Sequence, residues 1–365
     1  MLPAGFDLQR AQDALERPER PQTWRLVQRG EALQVEPWPA PAAAFTSGSP
    51  VADGVLTRRA SAQAREDRPG SPHLALALDA AAALSLGESV WRLWTDQEEL
   101  VVAPFDRPAW AHTLGRDGAG LFAAADLKGI TQRLRWIGPG RLLMGSPADE
   151  QDRFKDERQH EVCHTRGFWL AETACTQALW QAVMGDNPSG FNGERRPVDT
   201  VSWIDVQRFL ERLNSAEPGL TARLPTEAEW EYACRAGTTT PFSFGEDIDP
   251  AQANYNGNYP YCGDTKGLYR EQTVDVASLP ANPWGLYEMH GNLWEWCQDW
   301  YGEYHAGPLT DPVGPPSGEG RVRRGGSWLR DGRDLRSASR FLSVPGNRRQ
   351  FAGFRLVLGS QPRQE

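Results

Sequence analysis

The side chains best suited to chemistry in this 365-residue chain are five cysteines and six histidines. The thiols, Cys163, Cys175, Cys234, Cys262 and Cys297, are odd in number and widely scattered, and no CxxC pair brings two of them together for zinc or redox work. Isolated thiols of this kind read as buried, small apolar groups. His160 and His164 stand four residues apart, a spacing that would offer two imidazoles to one metal ion on a helix. The segment that carries them, HEVCHTRGFW, reads as a strand, so both are expected to be structural. His290 in MHGNLWEW and the lone His305 are likewise read as hydrogen-bonding groups.

Three helices can be placed around these residues by their end signals. Thr176 opens one that stops at Gly185. Ser202 with Asp205 resembles a capping box ahead of Val206, Phe209, Leu210 and Leu213, and Thr226 with Glu229 forms the clearest box, preceded by Pro225 and closed by Gly237. Beyond Gly237 the chain reads mostly as loop until two β-like runs, RVRRGGSW and GFRLVLG. Fifteen tryptophans with 36 glycines and 28 prolines suit a loop-rich fold packed by aromatics and disfavour long helical bundles.

Length alone leaves room for two modules. In residues 1–125, WRLVQRGEALQVEPW (Trp24 to Trp38) matches WRLWTDQEELVVAPF (Trp91 to Phe105), and each copy reads as a β-hairpin. Helix-like stretches precede them, Asp7 to Leu15 and Leu74 to Leu86, and the related turns Asp53-Gly54 and Asp117-Gly118 follow. The expectation is a small N-terminal α+β module built on a duplicated hairpin unit, with a structural or partner-docking role, because no polar residues converge there. Residues 126–365 form the second domain. With 48 acidic against 39 basic residues and a sequence pI near 5.3, the surface repels polyanions, which excludes nucleic acid as an expected partner. The start of the chain has no signal-peptide pattern and no apolar run long enough for membrane insertion, so a cytoplasmic location is expected.

Seven motifs make the second domain recognisable: RLLMGSP from Arg141, HEVCHTRGFWLAETACTQALWQAVMG from His160, RPVDTVSWIDVQRFLERLN from Arg196, RLPTEAEWEYACRAG from Arg223, NPWGLYEMHGNLWEWCQDWY from Asn282, RVRRGGSW from Arg321 and GFRLV from Gly353. In order and spacing they resemble the formylglycine-generating-enzyme (sulfatase-modifying factor) family. The resemblance implies an α+β, loop-rich C-type lectin fold. It also implies, for active members, two cysteines after GGS that bind copper and activate oxygen. Cu(I) requires soft ligands, and here WLRDGRDLRSASRFLSVPGNRRQFAGFRLV has no cysteine, so no catalytic cofactor is expected. The His-rich iron module of the related sulfoxide synthases is missing too.

Between the landmarks GGSW, LRSA, PGNR and GFR stand Leu329, Arg330, Asp331, Asp334, Ser339, Phe341, Leu342, Ser343, Val344, Arg349, Gln350, Phe351 and Ala352. This mixture is similar to the variable proteins of diversity-generating retroelements, in which adenine-directed mutagenesis rewrites a C-terminal lectin region. An AAC codon mutated at its adenines reaches Leu, Arg, Asp, Ser, Phe, Val and Ala; Gln350 alone falls outside that set. The resemblance implies a non-catalytic, receptor-like protein that presents residues 328–352 in solvent-facing loops. Its ligand would be a protein or cell-surface component, and its own location would be phage-associated. Phe341, Leu342, Val344 and Phe351 would supply apolar contact, and Arg330, Asp331 and Asp334 orientation. Arg323, Arg324, Arg336, Arg340 and Arg355 are assigned to scaffold ion pairs. The alternative is an oxidase or pseudoenzyme of the family acting on a peptide or small thiol. The family resemblance further implies a structural calcium site, for which Asn254, Asp264, Asn292 and Glu295 match in type.

Overall fold

The computed structural model describes residues 107–217, 219–304 and 307–359 throughout, and only the backbone strands of the chain before them. Asp7 to Leu15, Asp79 to Leu86 and His305 lie outside the described residues. The chain divides into one compact unit of Met1–Ala123 with Gly138–Arg141 and Thr165–Gly167, and a second of Ala124–Ile137, Leu142–His164 and Phe168–Glu365. The whole is mixed α+β, rich in sheet and poor in helix. Among the described residues no helix is long and apolar enough to cross a membrane.

In the first unit, six strands form one sheet in the order Ala32–Pro37, Thr23–Arg29, Ser49–Arg59, His73–Leu78, Glu99–Pro104, Trp91–Trp94. Both tryptophan-led segments are antiparallel hairpins, and they occupy the two ends of that sheet. Two local expectations are corrected. Leu74 to Leu78 is strand rather than helix, because HLALAL is paired on both sides and this pairing overrides the helical preference of Leu and Ala. Asp53 and Gly54 lie inside a strand opposite Arg25 and Trp24 rather than at a turn.

In the second unit the three helices begin where the caps place them. Helix α1 (Gln177–Met184) is capped by Thr176, which accepts from the Leu179 amide, and it ends at Gly185 with φ 87°. Helices α2 (Trp203–Ala216) and α3 (Glu227–Arg235) each start with a reciprocal capping box, Ser202 with Asp205 and Thr226 with Glu229. Trp180 of α1 stacks on Phe209 of α2 at 5.3 Å, and Phe354 meets Phe209 edge-on at 5.3 Å. Every residue of α3 is buried, including Glu227, Glu229, Glu231 and Arg235. A helix enclosed on all sides that still carries charge can persist only if each charge finds a partner.

Two sheets flank these helices. One includes the strands Ala222–Arg223, Val357–Leu358, Phe168–Ala171 and Ile130–Ile137 in that order. The other runs Arg340–Ser343, Arg321–Arg324, Trp294–Trp300, Ala352–Gly353, so the C-terminal motifs are joined edge to edge. The turn leaving this sheet depends on Gly326. Its φ is 74°, and a Cβ there would lie 2.9 Å from the Asp334 carbonyl oxygen.

Candidate ligand-binding face

Strand alternation divides the C-terminal sheet into two chemistries. Arg323 lies opposite Phe341 on one neighbour and Trp296 on the other, while Arg324, one residue on, lies opposite Arg340 and Glu295. The first set faces aromatic rings. The second faces the interior and consists of ion pairs. Arg324 donates to Glu231 and to the Ser339 carbonyl. Arg340 grips Glu227 through Nε at 2.8 Å and Nη2 at 2.6 Å, with Tyr301 and Tyr304 against its guanidinium. Arg355 forks onto Glu295 at 2.7 Å for both bonds, and Arg336 onto Glu157 at 2.7 and 2.8 Å with Glu150 at 2.6 Å. Burial opposes charge on Glu231, yet Arg235 and Arg324 hold its pKa below the ordinary carboxylate range. Bidentate pairs of this kind fix geometry as well as energy.

These pairs are interleaved with the candidate positions and set the backbone under them. Main-chain bonds complete the frame, among them Asn256 N to Arg330 O at 2.9 Å, Gly332 N to Tyr259 O at 3.0 Å, Thr200 N to Arg349 O at 3.0 Å and Trp294 N to Phe351 O at 2.9 Å. Side chains at the candidate positions are therefore not required to hold the loops in place.

Exposure then sorts the candidates. Leu329, Phe341, Leu342 and Val344 are 40%, 38%, 41% and 61% exposed, half of the exposed large hydrophobic side chains among the described residues. Arg330, Asp331 and Phe351 are half-buried. Asp334 is mostly covered, its pKa raised by burial, and it reaches Arg330 at 3.8 Å. Three expectations are corrected. Ser339, Ser343 and Ala352 do not face solvent: each is buried, Ser343 accepting from Asn347 and Ala352 pairing with Trp294 in the sheet. Phe341 and Leu342 are strand residues rather than loop residues.

Sequence reasoning also missed contributors. Ile204 and Tyr259, both exposed, are tied by backbone bonds to Pro345 and Gly332 of residues 328–352. No local signal marks them, since they lie far away in the chain. Arg323 is the larger miss. Among the described residues it makes no ion pair; its guanidinium sits 5.0 Å from the Phe341 ring, 5.1 Å from Trp296 and 5.7 Å from Phe351. Period-two reading of RVRR would have separated it from Arg324.

The cysteines do not assemble a site. Cys175, Cys234 and Cys297 are buried with their pKa values raised by burial, Cys163 is half-buried and Cys262 exposed. Among the described residues no three His, Cys, Asp or Glu side chains are grouped to hold a metal ion. His290 is fully enclosed, with Nδ1 against the Leu335 carbonyl at 2.7 Å and Nε2 against the Ser243 amide at 3.1 Å, and burial lowers its pKa to about 4. A separate cavity of about 630 Å³ is lined by His160, Glu227, Asp299, Tyr304 and Arg340. Its carboxylate Glu227 is already taken by Arg340 and the Tyr304 hydroxyl.

For calcium, the four matched residues separate. Glu295 is excluded as a ligand because both its oxygens serve Arg355 and one also accepts from Trp230. Asp264 is exposed in its loop. Asn254 and Asn292 remain together: Asn254 Nδ2 donates to Asn292 Oδ1 at 3.0 Å, and Asn254 Oδ1 is buried with no partner.

Taken together, the geometry defines a class: a loop-rich α+β scaffold braced by buried arginine–carboxylate pairs, with an apolar and cationic face over its C-terminal sheet. Residues 123–359 match the sulfatase-modifying factor enzyme 1-like domain, and the chain belongs to that family. It is 33% identical to the formylglycine-generating enzyme of Bos taurus over 194 residues, 51% of this chain and 50% of the enzyme. It is 39% identical to the serine/threonine-protein kinase pkn1 of Chlamydia caviae over 170 residues, 45% of this chain and 24% of the kinase. The chain thus spans between a quarter and half the length of these relatives. Among solved structures, Treponema denticola variable protein 1 is similar with a TM-score of 0.58 and 28% identity, over 66% of this chain and 99% of that one. PvdO from Pseudomonas aeruginosa shares the fold at a TM-score of 0.52 and 24% identity, over 70% of this chain and 99% of that one.

Proposed function

We propose that this is a non-catalytic, receptor-like binding protein whose residues 328–352 carry a diversified contact surface on a rigid C-type lectin scaffold, encoded by a prophage and used against a protein or cell-surface ligand. One observation carries the reading: Leu329, Phe341, Leu342 and Val344, all within residues 328–352, are each exposed, while buried arginine pairs hold the backbone between them. Exposed apolar side chains on a fixed backbone are the material of an interface core, and exchanging them alters recognition without unfolding the chain.

Sequencing the gene, its surroundings and its copies in related isolates tests this directly. The expected result is a neighbouring reverse transcriptase and differences confined to adenine positions in codons of this face. Substitutions spread evenly across residues 126–365 would overturn it. A second expectation concerns tolerance. The combined variant Leu329→Asn, Leu342→Asn, Val344→Asn keeps a cooperative thermal transition within about 3 °C of the parent, since surface changes cost roughly 0.5 kcal/mol or less each. Loss of the transition in calorimetry would show that these side chains belong to the core.

Family membership supports one other reading, a formylglycine-generating type of oxidase or pseudoenzyme acting on a peptide or small thiol. Copper-dependent oxygen consumption with a cysteine-containing peptide would establish it. Calcium enters the main reading as a structural ion held by the orphaned Asn254 Oδ1 with backbone carbonyls, Asn292 orienting Asn254 because its own Oδ1 already accepts from Asn254 Nδ2 and the Val274 amide. Chelation by EDTA is then expected to lower the melting temperature by a few degrees, with recovery on adding calcium. An unchanged melting curve would remove calcium from the account.

A further inference from the structure

Arg323 stands apart from every other enclosed arginine among the described residues. Eight arginines are buried among the described residues: Arg135, Arg223, Arg235, Arg323, Arg324, Arg336, Arg340 and Arg355. Seven of them are bridged to a glutamate. Arg323, 2% exposed, is bridged to nothing, and its Nε and Nη1 are buried without any acceptor. Burial, with the charges of Arg330 and Arg349 added, lowers its pKa from the ordinary arginine range.

Its surroundings deepen the imbalance. The Arg330 guanidinium lies 5.5 Å from the Phe341 ring and 6.0 Å from Phe351, the same two rings that cover Arg323. Two cations therefore share one aromatic pair, and the exposed Arg349 adds a third at long range. The carboxylate bridged to this group is Asp334, 3.8 Å from Arg330 Nε. Aromatic faces attract a guanidinium but accept no N–H bond of full strength, so the donors of Arg323 stay unsatisfied. A buried planar donor array beside one exposed and one half-buried ring is complementary to a planar acceptor with negative charge.

We propose that Arg323, with Arg330 and Arg349, forms a carboxylate-recognition site that receives an aspartate or glutamate side chain of a protein partner between Phe341 and Phe351. This rests on the binding reading above and specifies the partner's chemistry. A protein is favoured over an acidic glycan because the groups beside Arg323 are the rings of Phe341, Phe351 and Trp296, apolar surface that an aliphatic or aromatic neighbour of the acid would cover and that offers no acceptor to sugar hydroxyls.

The test selects a random peptide-display library on the immobilised full chain. The expected peptides carry Asp or Glu beside an apolar residue, and a selected peptide loses roughly tenfold or more in affinity when that acid is changed to its amide. Arg323→Met is expected to produce the same loss while melting at or above the parent temperature, since it removes an unpaired buried cation. Arg349→Glu, at an exposed position, weakens the same peptides and serves if Arg323→Met does not fold. Selected peptides that lack acids and bind parent and Arg323→Met equally would overturn the carboxylate site and leave the face intact. Binding of uronic-acid glycans without any acidic peptide would overturn the protein partner. Peptides indifferent to the combined Leu329→Asn, Leu342→Asn, Val344→Asn variant would overturn the binding face itself.

Discussion

Replacing Glu231 by alanine is expected to cost about 3–5 kcal/mol, the range for breaking a buried ion pair by removing one partner. For a domain of this size that lowers the melting temperature by roughly 10 °C or more. The reason lies in what the carboxylate holds. Glu231 is fully enclosed in α3; its Oε1 accepts from Arg235 Nε at 2.8 Å and from the Gly145 amide at 2.9 Å, and its Oε2 accepts from Arg324. Removing it strands one guanidinium in the helix, a second in the strand Arg321–Arg324, and an amide in the loop after RLLM. Arg324 retains the carbonyl of Ser339 and a longer approach to Glu227 at 3.6 Å, which cannot neutralise both cations. Scanning calorimetry against Arg208→Ala, where an exposed guanidinium 3.8 Å from Asp205 is lost and little change is expected, isolates the effect. A cost below about 1 kcal/mol would mean that the pairs do not brace the face.

Stability is also expected to fall as pH rises from about 6 to about 8. Burial, with the Glu227 carboxylate beside it, pushes the Asp299 carboxyl up to about 8, and burial pushes Glu288 up to about 7. In both cases the folded chain keeps a proton that the unfolded chain has released above the ordinary carboxylate pKa. The unfolded state is therefore favoured progressively from the ordinary value up to the folded value, on the order of 1 kcal/mol per pH unit for each proton. His290, lowered to about 4, acts in the opposite direction, but only below its ordinary value of 6.5. Asp205, held at about 2 by Arg348, contributes stability above its ordinary 3.8 that is lost as pH falls through the folded value, so it is constant in this window. Melting temperatures should decline from pH 6 to 8, and Asp299→Asn should flatten the decline, because an amide oxygen can still accept from the Glu227 backbone amide, now bonded at 2.9 Å. A melting temperature that rises over this range, or an Asp299→Asn slope equal to that of the parent, would refute the assignment.

Both predictions involve α3, and α3 shows how far the sequence could be read. Its start was legible at Thr226 and Glu229, since a capping box is completed within four residues. Its complete burial was not. The same helix carries Glu227, Glu229 and Glu231, and without their arginines these mark a solvated face. The partners lie in strands from distant parts of the chain.

The order of the seven motifs, the caps of α1, α2 and α3, the two N-terminal hairpins and the lack of sulfur after GGS are written in the chain itself, because each depends on neighbours a few residues apart or on composition alone. Which of residues 328–352 reach solvent was decided only on folding. Ser339, Ser343 and Ala352 turn inward because strands meet them there, and Glu295 is lost to calcium because Arg355, 60 residues on, takes it. Arg336 finds Glu150 across 186 residues, while Arg323, directly beside the paired Arg324, finds no carboxylate among the described residues. Ion pairing and burial are properties of where strands meet, and the spacing of residues along a chain does not record that.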